Sequence, residues 1–379
     1  MKIAQVSPLY ESVPPQAYGG TERVVSFLTE ELVRQGQDVT LFASGDSVTG
    51  ATLVPGCPRA LRLDASCIDK LAHHFVLMER VFERIADFDI VHFHCDYLHF
   101  PWSRRQLCRR VTTLHGRLDI PDLEPVYREF PLEPLVSISN EQRRPLAWAN
   151  WRATIHHGLP LDLYHFRENP GRYLAFLGRI SPEKRVDRAV DIARRVGMPL
   201  KIAAKVDAAD RHYYDTQIKP LLQKSRPMVE FVGEIGEEAK EDFLGNAHAL
   251  LFPIDWPEPF GLVMIEALAC GTPVIAFRNG SVPEVIDNGV TGYVVENFEQ
   301  AVRAVQQVPR LSRAECRAVF ERRFSVQRMA RDYVAVYRRL LEGPGAGHDR
   351  RRRAKNAPFS GDGQSQKNRM QASRALREG

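Results

Sequence analysis

The sequence lacks any apolar run approaching the roughly 18–20 residues that cross a bilayer, so no membrane-spanning helix is expected. It also lacks paired cysteines. The six cysteines, Cys57, Cys67, Cys95, Cys108, Cys270 and Cys316, are scattered and form no C-x-x-C pair, which argues against a disulfide framework or a zinc ribbon. Several lie in apolar segments, where a free cysteine acts as a small hydrophobe. A reducing, cytoplasmic compartment is the expectation. The opening stretch MKIAQVSPLY enters an apolar strand pattern at once and has no secretory-leader layout. Basic charge is missing from the body in net terms. The sequence totals +5, yet residues 343–379 hold nine Lys/Arg against three Asp/Glu, a net +6, which leaves −1 for residues 1–342. The body therefore offers no electrostatic footprint for nucleic acid, which is not expected as a partner.

The basic segment 343–379 is polar and rich in Gly, Pro, Ser and Gln. It cannot bury enough apolar surface to offset its ordering entropy, and it is expected to be disordered. Its run Arg350–Arg353 is a candidate contact for acidic lipid, which would make the protein membrane-peripheral, or for nucleic acid. A solvated tail is the plainer expectation.

The remaining sequence is long enough for two domains of ordinary size. In the first half, KIAQVSP, DVTLFAS, DIVHFH, VTTLHG and LVSIS read as strands. GGTERVVSFLTEELVRQG reads as a helix, with Val24, Phe27, Leu28 and Leu32 at helical spacing and Gly36 as its stop; a second helix is expected over 69–85. The pattern restarts at GRYLAFLGRI. Strands PLKIAAKV, MVEFVGEI, ALLFPI and PVIAF alternate with helical stretches. Strands alternating with helices predict parallel βαβ units, and hence an α/β fold of two doubly wound, Rossmann-like domains. The expected divisions are an N-terminal domain over 1–158, a C-terminal domain over 159–330, a helix over 331–342 crossing back to the first domain, and the tail over 343–379.

Open parallel sheets bind ligands at the carboxyl ends of their strands, so motifs there matter most. In FLGRISPEKR, Arg179 and Lys184 flank a turn after a strand and could hold a diphosphate, Arg as a planar fork and Lys as a point charge. The plainer alternative is a solvated loop. Gly233 ends the strand of EFVGEIG, where the missing side chain permits close approach of a flat base; an ordinary turn is the better reading of that glycine alone. The stretch PEPFGLVMIEALACGTPVIAF carries Glu258 between two prolines and Glu266 inside an apolar helix. Phe260, Gly261 and Leu262 open that helix, whose unpaired N–H groups suit an anion. A buried carboxylate is costly unless hydrogen-bonded, and a vicinal diol offers it two donors. The two glutamates then suggest a ligand hydroxylated at both ends with a diphosphate between, a nucleotide sugar. The alternative is that Glu258 caps the helix and Glu266 pairs with a core Arg or Lys. Two further patterns are set aside. Asp87-Phe88-Asp89 reads as a turn at the amino end of a strand, and His92 with His94 lacks further ligands at convincing spacing, so no metal is assigned.

GGTERV, TLHG, GRISPEK and PEPFGLVMIEALACGTPVIA together resemble the retaining glycosyltransferases of family 4, which have the GT-B fold. The resemblance spans about residues 1–342 and includes the E-x7-E spacing of Glu258 and Glu266. It implies that Arg179 and Lys184 hold the donor pyrophosphate, Glu258 the sugar hydroxyls and Glu266 the ribose. It further implies that backbone N–H groups around Phe260–Leu262 meet phosphate and sugar, that His115 sits beside the reacting sugar, and that Gly19-Gly20 forms a loop closing over the phosphates. The implied reaction moves a hexose from a UDP-linked donor to an acceptor hydroxyl (glycan, lipid-linked or small molecule) with retention, without metal or other cofactor, as a hexosyltransferase. The sequence departs from the family at Arg185, where many members have glycine, and at His157, where many have asparagine; these positions bear on acceptor and hinge. Three rival readings remain: a nucleotide-sugar 2-epimerase, a non-catalytic nucleotide-sugar or glycan-binding protein, and a nucleic-acid binder acting through the basic tail.

Overall fold

The computed structural model describes residues 1–16, 19–106 and 108–342. The expectations for the tail, including its arginine run, lie outside these residues.

Among the described residues, thirteen strands form two wholly parallel sheets. The first holds β1 (Lys2–Val6), β2 (Asp38–Ser44), β3 (Thr52–Cys57), β4 (Ile90–Phe93), β5 (Arg110–Thr113), β6 (Leu135–Ser137) and β7 (Trp151–Thr154), in the order β3-β2-β1-β4-β5-β6-β7. The second holds β8 (Leu174–Arg179), β9 (Leu200–Lys205), β10 (Val229–Gly233), β11 (Ala249–Phe252), β12 (Val274–Phe277) and β13 (Gly292–Val295), in the order β10-β9-β8-β11-β12-β13. In both, the chain starts near the middle, winds to one edge, then returns and winds to the other. Ile3 accordingly pairs with Val39 on one side and Ile90 on the other. The expected pair of doubly wound α/β sheets is what the chain forms. Both lie within the compact unit Met1–Arg338.

The central strands are largely apolar because helices cover both faces of the sheets, but the first sheet also buries Gln5 in β1, His92 in β4 and Thr112 and Thr113 in β5. Val24, Val25, Leu28 and Leu32 of helix Gly20–Arg34 are buried, and Gly36 ends the helix region at φ +76°. In the second half, helices Val186–Val196 and Phe298–Gln307 bury Val190, Ala193, Ala301 and Val305 on one face of the sheet, while helix Leu262–Ala269 and Phe320 fill the other. The last helix, Val326–Glu342, reaches the first sheet, where Tyr333 and Tyr337 are fully buried. No described helix is long and apolar enough to cross a membrane.

Candidate functional site

The carboxyl ends of both sheets open onto one cavity of about 610 Å³. The first half contributes Gly19, Gly20 and the start of helix Gly20–Arg34, together with His94, Asp96, His115 and Gly116 from the ends of β4 and β5. The second contributes Arg179 from the end of β8, then Lys184, Lys240 and the segment Glu258–Val263 with Glu266. Gly233 is outside this lining. It ends β10, an edge strand, at φ +90°, and the cavity is reached instead by the following Glu234 and Ile235.

Glu258 sits in a loop that a neighbouring glycine holds in place. A Cβ on Gly280 would lie 2.3 Å from the Glu258 backbone nitrogen, so only glycine fits there. Ser281 N–H donates to the Glu258 carbonyl at 2.9 Å. The Glu258 carboxylate accepts from Lys184 Nζ and, at 3.1 Å, from Trp256 Nε1. Lys184 Nζ also lies 4.8 Å from the Trp256 ring centroid, a cation–π distance. Glu258 is therefore tied to Lys184 and does not cap the helix; Gly261 occupies the N-cap position at φ +78°, with no side-chain cap. Arg179 is set among three carboxylates, Glu183 at 2.7 Å, Asp210 at 3.5 Å and Asp207 at 3.7 Å.

Glu266 is 2% exposed, and its partners come from both halves of the molecule. Arg23 Nη1 donates to Glu266 Oε1, and Lys240 Nζ lies 3.6 Å from the same oxygen. Burial pushes the Glu266 carboxyl up, but Lys240 and Arg23 outweigh it and hold the group below its ordinary value. Among the described residues its second oxygen, Oε2, makes no hydrogen bond, while the residue lines the cavity. The pairing expected as the alternative for Glu266 is thus present, and it uses one oxygen of the two. Arg23 Nη2 also donates to the Tyr164 hydroxyl at 2.9 Å and to Glu237 Oε1 at 2.6 Å. Sequence reasoning named GGTERV for its glycines and missed Arg23, whose partner is 243 residues away. Lys240, in the charged helix Glu237–Gly245, carries no local sign of its role.

His115 stands at the end of β5, and its loop is fixed by Gln142 Nε2, which donates to the carbonyls of Leu114 and Gly116 at 2.8 Å each. Its ring stacks on His157 with centroids 5.3 Å apart, and His157 packs edge-on against Phe260. Burial lowers His115 to about 3, so it is a neutral imidazole at ordinary pH. His92 and His94 are spent on hydrogen bonds to Tyr337, Thr113, Gln5 and His115. Among the described residues no three His, Cys, Asp or Glu side chains are grouped to hold a metal ion.

Two family patterns match this molecule. The one described as Glycosyltransferase Family 4 covers residues 18–188, and the one described as Glycosyl transferases group 1 covers residues 165–322. The chain belongs to glycosyltransferase family 4. Its two sheets have the GT-B arrangement of that family's solved members. AviGT4, a glycosyltransferase involved in avilamycin A biosynthesis, superposes with a TM-score of 0.70 at 26% identity, covering 90% of this chain and 98% of that one. Anabaena HepE, crystallised with UDP and glucose, superposes with a TM-score of 0.67 at 16% identity over 88% and 98% of the two chains, a likeness of fold. The D-inositol 3-phosphate glycosyltransferase of Mycobacterium leprae is 31% identical over 204 residues, 48% of this chain and 44% of that protein. The match thus spans less than half the length of that curated relative.

Proposed function

We propose that this family 4 protein transfers a sugar, a hexose by preference, from a nucleoside diphosphate donor to an acceptor hydroxyl, with retention at the anomeric carbon. The observation that carries the reading is the convergence on one cavity of Arg179, Lys184, Glu258, Phe260, Gly261, Leu262, Glu266, His115, Gly19 and Gly20, drawn from both halves of the chain. Arg179 and Lys184 supply cations for a diphosphate, with the uncapped start of helix Leu262–Ala269 beside them. Glu266 Oε2 supports a contact with ribose hydroxyls, since both cations lie against Oε1. UDP is the first nucleotide to try, because the Anabaena protein of like fold was crystallised with it.

The costly event in such a transfer is charge building on the departing diphosphate, and preorganised cations answer it. The acceptor oxygen forms the new glycosidic bond as the sugar–phosphate bond breaks, and the leaving phosphate oxygen takes the acceptor's proton. Glu258 is already bound to Lys184 and Trp256, which suits it to orient sugar hydroxyls rather than to attack. A bound diphosphate competes with Glu258 for Lys184 and so turns that carboxylate toward the sugar. The test is calorimetric titration with UDP, GDP, ADP and TDP in the presence of EDTA, followed by UDP-glucose and UDP-N-acetylglucosamine. Micromolar binding of one nucleotide with EDTA present supports a metal-independent donor site. Binding of none overturns it.

A further inference from the structure

A continuous relay of hydrogen bonds runs from the cavity to the last helix. It begins at His115, whose Nε2 lies 2.9 Å from His94 Nδ1. His94 Nε2 lies 2.8 Å from Gln5 Oε1. Gln5 Nε2 donates to the Tyr337 hydroxyl at 3.2 Å, and that hydroxyl lies 2.7 Å from His92 Nδ1. His92 Nε2 reaches Thr113 Oγ1 at 2.7 Å, and Thr113 Oγ1 meets the Tyr333 hydroxyl at 3.0 Å. Every member beyond His115 is buried.

The protons of this relay can be counted. Burial keeps the three imidazoles neutral, and a neutral imidazole has one N–H and one lone pair. Gln5 Oε1 only accepts, so His94 carries its proton on Nε2 and accepts at Nδ1. His115 then donates through Nε2, and its Nδ1 holds a lone pair. That Nδ1 is buried and has no hydrogen-bond partner among the described residues, while His115 itself lines the cavity. On the other side, the Gln5 amide nitrogen donates to Tyr337, whose hydroxyl donates to His92 Nδ1; His92 Nε2–H donates to Thr113. All these bonds run in one direction, which makes them mutually reinforcing. Turning the single amide of Gln5 would reverse the relay and put a proton on His115 Nδ1.

We propose that Gln5 and Tyr337 are positioning residues that hold His115 in its Nε2–H tautomer, so that the cavity presents an imidazole lone pair to a hydroxyl of the bound sugar or acceptor. The assignment of that ligand rests on the glycosyl-transfer reading above. The hydroxyl donates to Nδ1 and extends the relay by one bond in the same direction. The site thereby selects a ligand group that can donate: a hydroxyl fits, and a fluorine at the same carbon does not. Tyr337 lies on the last helix and makes this selection depend on how that helix seats against the first sheet.

The test is nitrogen-15 NMR of histidine-labelled protein, which reports for each ring nitrogen whether it carries the proton. Wild type is expected to show His94 and His115 protonated at Nε2 and bare at Nδ1. Gln5→Glu, which keeps an accepting oxygen toward His94, is expected to retain that pattern. Tyr337→Phe removes the group that pins the amide, and part of its population is expected to gain a proton on His115 Nδ1. In a transfer assay Tyr337→Phe should lower kcat about tenfold, the loss of one well-placed hydrogen bond, with UDP affinity unchanged; a general structural defect would lower both. A proton on His115 Nδ1 in the wild type overturns the proposal, and so does a Tyr337→Phe spectrum identical to wild type. If Tyr337→Phe does not fold, wild type and Gln5→Glu still decide the tautomer. Should the tautomer stand while neither UDP binding nor transfer is found, it is the glycosyl-transfer reading that fails.

Discussion

The two halves of the cavity hold their polar groups by different means. The first sheet uses neutral partners: His94, Gln5, Tyr337, His92 and Thr113 satisfy one another without a formal charge. The second uses ions: Lys184 against Glu258, Arg179 against Glu183, and Lys240 against Glu266. Neutral hydrogen bonds fix direction and contribute about 0.5–1.5 kcal/mol each. Buried ions carry a large desolvation cost and are stable only while every partner is present. A charged diphosphate suits the second arrangement, which can exchange one anion for another. Sugar hydroxyls, whose position must be set but whose charge is nil, suit the first. The division is not complete: Arg62 lines the cavity from the first half and is paired with Glu11 at 2.8 Å. Arg23 crosses it outright, since it rises from the first half and serves Glu266 in the second.

That exception offers the largest expected effect. Arg23→Met leaves Glu266 buried with Lys240 alone, and removing one partner of a buried pair costs about 3–5 kcal/mol. Urea denaturation should show the loss, and Arg23→Met combined with Glu266→Met should recover much of it. Full additivity of the two changes would mean that Arg23 and Glu266 are not a coupled pair. Next come the ions of the second half. Lys184→Ala should lower kcat by about 10²–10³, the usual cost of one donor to a developing anion. Glu258→Ala should cut turnover, and Glu266→Ala should weaken UDP binding more than turnover. Equal losses of UDP affinity with unchanged turnover in both would erase that division between the glutamates.

The same contrast governs what could be read in the sequence. The apolar central strands of both sheets stand out as runs, because strands covered on both faces have no polar alternation to hide them. The strands that escape notice, β3, β7 and β13, are all at sheet edges. β3 contains Pro55 and Gly56, which an edge tolerates and a sequence pattern reads as a break. β7 is four partly exposed residues. In the site, Arg179, Lys184, Glu258 and Glu266 are legible because each lies in a short local motif. The neutral relay is not, since Gln5 and Tyr337 are 332 positions apart and neither stands in a recognisable pattern. Adjacent His92 and His94 suggest a metal or a core role until the fold gives each two hydrogen-bonding partners.

The smallest expected effect tests where the halves meet. Glu284, on the short helix Val282–Val285, accepts from the backbone N–H groups of Asn140 and Glu141 at 2.8 Å each and lies 3.2 Å from His156 Nε2. Burial alone would push its carboxyl up, but the His156 and backbone hydrogen bonds prevail and bring it down to about 2 from an ordinary 4.5. A group depressed in the folded state stabilises above its ordinary value and loses that contribution as protons bind the folded form. The contact should therefore be at full strength above pH 4.5 and weaken as pH falls toward about 2. Glu284→Gln keeps an accepting oxygen and removes the charge, so it should cost about 1.5 kcal/mol at neutral pH. The gap between variant and wild type should narrow steadily through the acid range in denaturation experiments. A gap that stays constant from neutral pH to pH 2 would mean that the carboxylate's charge contributes nothing, and that this one contact between the halves rests on its hydrogen bonds alone.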